Sequence, residues 1–132
     1  DDAAGITMLG NGKVGIGNTA PNGSLVVNPP ATQTIAAGNT ITDDGCGTLK
    51  RITATGAVTT DTTNTFTAPA AGNAGCLMSV CNVGAQIITL DNNANFKSAA
   101  GADLVMTADD CVIVGSTGAS GVWYQITGLG VN

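Results

Sequence analysis

Short hydrophobic runs separated by turn-forming residues follow one another along most of the 132-residue chain. From residue 31 onward the runs recur at spacings of about ten to fifteen residues, and Gly, Asn, Asp or Pro stands in nearly every gap. The one helix candidate, Ser98–Ala102, is short, uncapped and interrupted by Gly101. The pattern predicts an all-β domain over residues 31–132, an antiparallel β-sandwich or jelly-roll-like fold, with a small barrel as the alternative. The runs that predict strands are Thr32–Ala36, Thr48–Thr55, Asn64–Ala68, Cys76–Val83, Ile87–Leu90, Asp103–Thr107, Cys111–Gly115 and Val122–Thr127.

Two of these runs differ in how their faces must be covered. Cys111–Val114 is apolar at every position, which predicts a central strand covered on both sides. The run Leu49–Ala54 has no clean apolar face, because Lys50 and Arg51 fall on opposite sides of it.

The first thirty residues are patterned differently from the rest. Asn11–Gly17 alternates Gly with Val or Ile, Pro21–Gly23 marks a turn, and the pair at 29–30 is Pro-Pro. Alternating Gly gives a flat strand with one bare face, which suits close approach by another backbone. We therefore predict that residues 1–30 form an extended arm that docks onto a partner. The apolar positions of this arm are Val14, Ile16, Leu25, Val26 and Val27.

The composition favours assembly over a large monomeric core. The chain is 43% hydrophobic but only 3% aromatic, and it contains 19 Gly. Few large side chains are available to offset the entropy of ordering the chain, so pooling of cores between subunits is expected. Its hydrophobic content is too high for a disordered chain.

Charge and residue usage disfavour several functions. The net charge is −5, with nine Asp and four Lys or Arg, so nucleic-acid binding is not expected. The chain has no run of 18 apolar residues, so no membrane-spanning helix is expected. Asp1 and Asp2 are unlike the start of a signal peptide. His and Glu are missing altogether, which removes the usual general bases and any Ser-His-Asp triad. We expect no enzyme activity and no cofactor.

Neither acidic turns nor cysteines predict a metal site. Asp91–Asn95 matches the first half of a calcium loop, but Phe96 stands where Gly is needed and no Glu follows, so a polar turn is favoured. The acidic pair Asp43–Asp44 is explained by turn chemistry in the same way. The spacing of Cys76 and Cys81 has no matching second pair, which argues against a four-cysteine zinc site.

The four cysteines, Cys46, Cys76, Cys81 and Cys111, permit three intrachain disulfide pairings. If Cys76 and Cys81 share one strand, their odd separation places them on opposite faces, so each is expected to pair with Cys46 or Cys111. The alternative is that all four are small buried hydrophobic residues with free thiols.

Trp123 and Tyr124 are adjacent, so on a strand one ring faces inward and the other outward. The outward ring is a candidate surface-binding residue for a glycan or a neighbouring subunit. The alternative assigns Trp123 to the core.

Two stretches resemble phage structural proteins. Residues 11–27, NGKVGIGNTAPNGSLVV, resemble a segment found in many phage tail-fibre and bacterial surface-fibre proteins, and depart from it at Asn18, where the pattern has Thr. The second stretch resembles the C-terminal β module of phage fibre and head-decoration proteins. It comprises IITLDNNANF at 87–96, ADLVM at 102–106, CVIV at 111–114 and GVWYQI at 121–126. The resemblance implies a trimeric protein without a cofactor.

We therefore predict a structural virion protein, a phage fibre or capsid-decoration module that works as a homo-oligomer. Its expected location is the virion or the extracellular space, and its expected partners are other copies of itself and capsid or tail proteins. One alternative is a secreted, pilus-like filament subunit assembled by strand exchange. Another is a carbohydrate- or surface-binding module that engages a host surface glycan through Trp123, Tyr124 and the loops near Asp43 and Asp91.

Overall fold

A computed structural model of the chain describes residues 5–16, 19–20, 25–27, 31–42, 48–69, 75–116 and 121–127. These residues contain twelve strands and no helix, so none of them forms a helical membrane span, and the all-β prediction is confirmed. The strands are β1 (Ile6–Met8), β2 (Val14–Ile16), β3 (Leu25–Val27), β4 (Gln33–Ile35), β5 (Thr48–Ala54), β6 (Val58–Thr59), β7 (Leu77–Asn82), β8 (Ile88–Leu90), β9 (Phe96–Lys97), β10 (Leu104–Met106), β11 (Cys111–Ser116) and β12 (Trp123–Gln125).

The strands form three sheets. The N-terminal sheet has the order β1-β2-β3, the largest sheet has the order β4-β5-β7-β11-β12-β9, and the third has the order β10-β8-β6. None of the described residues of β1–β3 packs extensively against a strand of the other two sheets. The strands β1–β3 are therefore linked more closely to one another than to any strand of the other two sheets.

The expectation of antiparallel sheets is only partly correct. β7 pairs antiparallel with β11, and β11 with β12, but β5 runs parallel to β4 and β7, and β9 runs parallel to β12. For the parallel pair β5 and β7 the reason is the chain path. From β5 to β11 consecutive strands alternate between the six-stranded sheet and the β10-β8-β6 sheet. A strand that returns after one crossing to the other sheet is free to run parallel to the strand it left.

One hydrophobic cluster joins these two sheets. Ile52, Val80 and Val112 reach it from the six-stranded sheet, and Leu90 and Met106 reach it from the β10-β8-β6 sheet. All five side chains are fully buried, and alternate residues of their strands face away from the cluster. Period-two burial of this kind follows directly from the pleat of a β-strand.

β5 shows why its sequence lacked a clean apolar face. Its inward positions are Lys50, Ile52 and Ala54, so a lysine stands in an otherwise apolar row. Lys50 is only 2% exposed, and its Nζ donates to Thr42 Oγ1 at 2.6 Å. The buried ammonium is thus held by polar partners, as a charge removed from water must be.

Gly84 marks a close approach between the loop after β7 and the neighbouring strand β5. A Cβ at Gly84 would lie 3.1 Å from Thr53 Cβ and 3.4 Å from Thr53 Cα, with Thr53 Oγ1 closer still. Val83 N also donates to the Ile52 carbonyl at 2.9 Å, which holds the loop against the strand.

We expect Gly84→Ala to lower the free energy of unfolding by about 1–3 kcal/mol, since the loop has to move off β5 to make room. Chemical denaturation measures the change. Gly56→Ala is the matched control, because a Cβ there meets no atom within 4 Å. Equal stability of the two variants would contradict the close approach, and Thr53→Ala should partly rescue Gly84→Ala.

Candidate interaction surface

The six-stranded sheet turns one face to the core and leaves the other open. The outward positions of four adjacent strands, β5, β7, β11 and β12 with its extension to Ile126, carry large apolar side chains. Their exposed fractions lie between 37% and 58%. We call these residues the outer face: Leu49, Leu77, Ile113, Tyr124 and Ile126.

Strand register arranges the outer face in rows of large, small and large residues. Ser79 pairs with Leu49 on one side and Ile113 on the other. In the next row Gly115 pairs with both Leu77 and Tyr124. Ser79 and Gly115 are diagonal outward positions on the neighbouring strands β7 and β11, and Gly115 lies between Leu77 and Tyr124.

A cavity of about 270 Å³ opens above Gly115. Leu77, Tyr124 and Ile126 line it with Gly115. Glycine is needed at the floor of this cavity, because a Cβ at Gly115 would lie 3.0 Å from Ile126 Cδ1 and 3.2 Å from Leu77 Cδ2. The site is thus an open apolar groove rather than an enclosed pocket.

The outer face differs in charge from the rest of the described chain. Its flanking cations are Arg51 on β5 and Lys97 on β9, and no outward side chain of the described six strands is a carboxylate. The described aspartates all lie between strands, at Asp61, Asp91, Asp103, Asp109 and Asp110. In a chain with net charge −5, the described positions of this face thus carry no negative charge.

A second exposed apolar face lies on the N-terminal sheet. Ile6 pairs with Ile16 and Met8 pairs with Val14, which puts these four side chains on one side of the β1–β2 hairpin. Met8 is 78% exposed and Ile6 is 70% exposed. We call these four residues the arm face.

The expectation of an extended arm is corrected by this hairpin. The chain reverses between β1 and β2, where Gly12 takes φ of 82° and Gly12 N donates to the Leu9 carbonyl. β3, which contains Leu25, Val26 and Val27, then pairs parallel with β2. The Asn11-Gly12 dipeptide is the sequence signal for the turn, since this pair readily adopts positive φ.

The cysteines are placed on two sides of the six-stranded sheet. Cys81 and Cys111 are directly opposite each other on β7 and β11 and form a disulfide, beside Arg51 on the outward side. Cys76 is buried and is also disulfide-bonded. Cys46 lies outside the described residues. Among the described cysteines none is a free thiol.

The Cys81–Cys111 disulfide closes a loop with a sequence separation of 30. Chain entropy for such a loop predicts that Cys81→Ala with Cys111→Ala lowers the free energy of unfolding by roughly 3.5 kcal/mol. Denaturation under non-reducing conditions measures this, with Ser79→Ala as a control on the same face. A loss below about 1 kcal/mol would show that the disulfide does little to constrain the unfolded chain.

The polar groups of the Asn-rich turn 91–95 are engaged in hydrogen bonds within the chain. Asn93 Oδ1 accepts from the backbone N–H groups of Asn95 and Phe96, and Asn93 Nδ2 donates to the Asp61 carbonyl and to Thr65 Oγ1. No cluster of three metal-binding side chains occurs in the described part of the chain. The amide groups here hold a turn in place. The predicted loop near Asp43 lies outside the described residues.

Trp123 and Tyr124 point in opposite directions. Trp123 is fully buried, its Nε1 donates to the Thr67 carbonyl at 3.0 Å, and its ring centroid lies 6.0 Å from that of Phe66. Its suggested surface-binding role does not hold in the structure, because no part of the ring is exposed. Tyr124 is 40% exposed and belongs to the outer face.

Comparison with known proteins does not assign a function to this surface. No family model, no curated protein and no solved structure matches the chain. The function therefore has to be argued from the residues of the two exposed apolar faces.

Proposed function

We propose that this chain is a structural, non-enzymatic module of a virion, a phage fibre or capsid-decoration protein that works as an oligomer. In this proposal residues 31–132 form a β-sandwich or jelly-roll-like body, and residues 1–30 are the segment through which subunits assemble. The resemblance of residues 11–27 to phage fibre segments supports this function. The single observation that carries it is the bare arm face of the N-terminal sheet.

The N-terminal sheet is small. Its three strands have three residues each, at the lower end of the range for strands in globular proteins. The arm face exposes Ile6, Met8 and Ile16 to solvent. Burial of such side chains contributes about 25 cal/mol per Å² of apolar surface, so a partner surface would stabilise this sheet.

The molecular mass in solution tests the proposal. We expect a closed oligomer of fixed mass by sedimentation equilibrium, and uniform particles by negative-stain microscopy. Open polymers would favour the secreted, pilus-like filament subunit assembled by strand exchange. A monomer at concentrations up to about 100 μM, well above the Kd of a specific interface, would overturn both assembly functions.

The exposed ring of Tyr124 favours one alternative, a carbohydrate- or surface-binding module. The ring borders the groove above Gly115, where it could stack on a sugar. Glycan-array binding that is lost in Tyr124→Ala, with the oligomeric mass unchanged, would establish this function. No glycan binding by the wild-type chain would exclude it.

A further inference from the structure

We infer that the free edge of β1 pairs antiparallel with the same edge of a second copy of this chain, about a two-fold axis between the two Thr7 residues. This inference rests on the proposed assembly function and names the contact through which two copies meet. Because the same edge serves both copies, the pairing closes on itself and predicts an even number of subunits.

The hydrogen bonds of the β1–β2 hairpin leave one edge of β1 open. Leu9 N donates to the Lys13 carbonyl at 2.9 Å, so these two residues form a hydrogen-bonded pair. Bonded and non-bonded pairs alternate along antiparallel strands, which makes Thr7 and Gly15 the next bonded pair. The backbone groups of the residues on either side of Thr7 therefore point away from β2.

Ile6 and Met8 present their N–H groups and carbonyls along this open edge. β1 is the end strand of the order β1-β2-β3, and no described strand lies beside it on that side. Natural sheets protect such edges with charged side chains, proline or a bulge, whereas β1 has the sequence Ile-Thr-Met. An unprotected edge of this kind is a template for pairing with another strand.

β9, an end strand of the six-stranded sheet, shows how this chain closes an edge. Trp123 N donates to the Asn95 carbonyl, so the backbone groups of Phe96 point away from β12. Asn93 binds both of them: Phe96 N donates to Asn93 Oδ1 at 3.1 Å, and the Phe96 carbonyl accepts from Asn93 N at 3.1 Å. Within the described part of the chain, no residue covers the edge of β1 in this way.

The partner that fits this edge is a second copy of β1. Across the two-fold axis, Ile6 of one copy lies opposite Met8 of the other, and each such pair exchanges both of its hydrogen bonds. Every outward N–H and carbonyl of the two edges is then paired. Ile6 and Met8 lie on the same side of the sheet, so the cross-strand contacts are apolar. On the other side, Thr7 meets Thr7 of the second copy, a pair that stabilises sheets.

The contact is small, which decides how it is measured. Two three-residue strands paired edge to edge bury far less than the roughly 800 Å² per partner of a stable interface. The edge pair is therefore one contact of the assembly. Disulfide crosslinking records such a contact without requiring a long-lived complex.

Single cysteine substitutions in β1 test the inference. Opposed Thr7 residues form a non-hydrogen-bonded pair with Cα atoms about 4.5 Å apart, within reach of a disulfide. The two Ile6 residues lie on a diagonal about 7–8 Å apart, as do the two Met8 residues. In a glutathione redox buffer we expect Thr7→Cys to form linked dimers roughly tenfold faster than Ile6→Cys or Met8→Cys. Non-reducing electrophoresis measures the rates, and the wild type is the control for exchange with the native disulfides.

Random collision predicts the opposite order of rates. Ile6 is 70% exposed and Met8 is 78% exposed, whereas Thr7 is half-buried. Faster crosslinking at the two more exposed positions would therefore overturn the inference. Equal rates at all three positions would indicate parallel strands and would overturn it as well.

Met8→Pro tests the part played by the backbone. Proline removes the N–H that points away from β2 and leaves the hydrogen bonds of the hairpin in place. Added to Thr7→Cys, it should slow crosslinking roughly tenfold, because one hydrogen bond is lost on each side of the axis. Met8→Ala is the matched control, since it shortens the side chain and keeps the N–H. Equal slowing by both substitutions would contradict pairing through the backbone.

Failure of the inference is distinguishable from failure of the proposed function. An oligomeric wild type whose Thr7→Cys variant shows no preferential crosslinking overturns the edge pair and preserves the assembly function. A trimeric wild type does the same, because a two-fold contact requires an even number of subunits. A monomeric wild type overturns both. Circular dichroism checks the fold of each variant.

Discussion

Trp123→Ala should lower the free energy of unfolding by about 3–5 kcal/mol, the usual cost of deleting a buried tryptophan side chain. The ring packs against one side of an aromatic cluster centred on Phe66, which lies 5.3 Å from Phe96 and 6.0 Å from Trp123. Its Nε1 also holds the segment around Thr67, because it donates to that carbonyl. The variant therefore loses packing and one long-range hydrogen bond together.

Tyr124→Ala is the matched control for this prediction. It removes an aromatic ring from the adjacent residue, but that ring is 40% exposed and contacts the groove rather than the core. We expect this substitution to lower the free energy of unfolding by less than about 1 kcal/mol, as most surface substitutions do. Guanidinium denaturation of both variants measures the difference. Similar losses in the two variants would contradict the inward and outward placement of these rings.

Strands with strong sequence patterns could be predicted, because their side chains carry the signal. β5 and β7 lie within the predicted runs, and β11 exceeds its run by one residue, Ser116; adjacency alone predicted that Trp123 and Tyr124 would face opposite ways. β6 and β9 have two residues each and were not predicted. A strand that short is defined by its neighbours, β8 and β12, and by nothing in its own composition.

Asn64–Ala68 shows how a side chain can replace a strand partner. The run was predicted as a strand, but Phe66 makes only an isolated bridge to Ile41. Its backbone is instead paired with a carboxamide: Phe66 N donates to Asn95 Oδ1, and Asn95 Nδ2 donates to the Phe66 carbonyl. Since Asn95 is 29 residues away, no local pattern could have indicated this pairing.

Only part of the candidate surface could be predicted from the sequence. The apolar residues of β2 and β11 were recognised as unusual, whereas the row of Leu77, Gly115 and Tyr124 depends on register between three strands. Register is set by tertiary packing and turn geometry rather than by any one strand. The exposed Ile6 and Met8 were missed because the first nine residues have no clear period.

Asn82→Asp should lower the free energy of unfolding at neutral pH by at least about 3–5 kcal/mol, the range for an uncompensated buried charge. Asn82 is fully buried at the end of β7, and its Nδ2 donates to the carbonyls of Gln86, Met106 and Thr107 at 2.7, 3.2 and 2.9 Å. Its Oδ1 accepts from Gly84 N at 3.1 Å. The substitution replaces the donor with an acceptor and directs negative charge at three carbonyl oxygens.

The pH dependence of this variant separates charge from packing. Burial and the three carbonyl oxygens should raise the pKa of an introduced carboxyl at position 82 in the folded state. A group with a raised folded pKa favours the folded state at low pH and loses that contribution as the pH rises through the folded pKa. The stability deficit of Asn82→Asp relative to wild type should therefore shrink between pH 7 and pH 4, where the protonated acid regains one donor. Asn82→Ala should show a deficit that does not change with pH. The same pH-independent deficit in Asn82→Asp would mean that water reaches this site and that the three carbonyls do not depend on the amide.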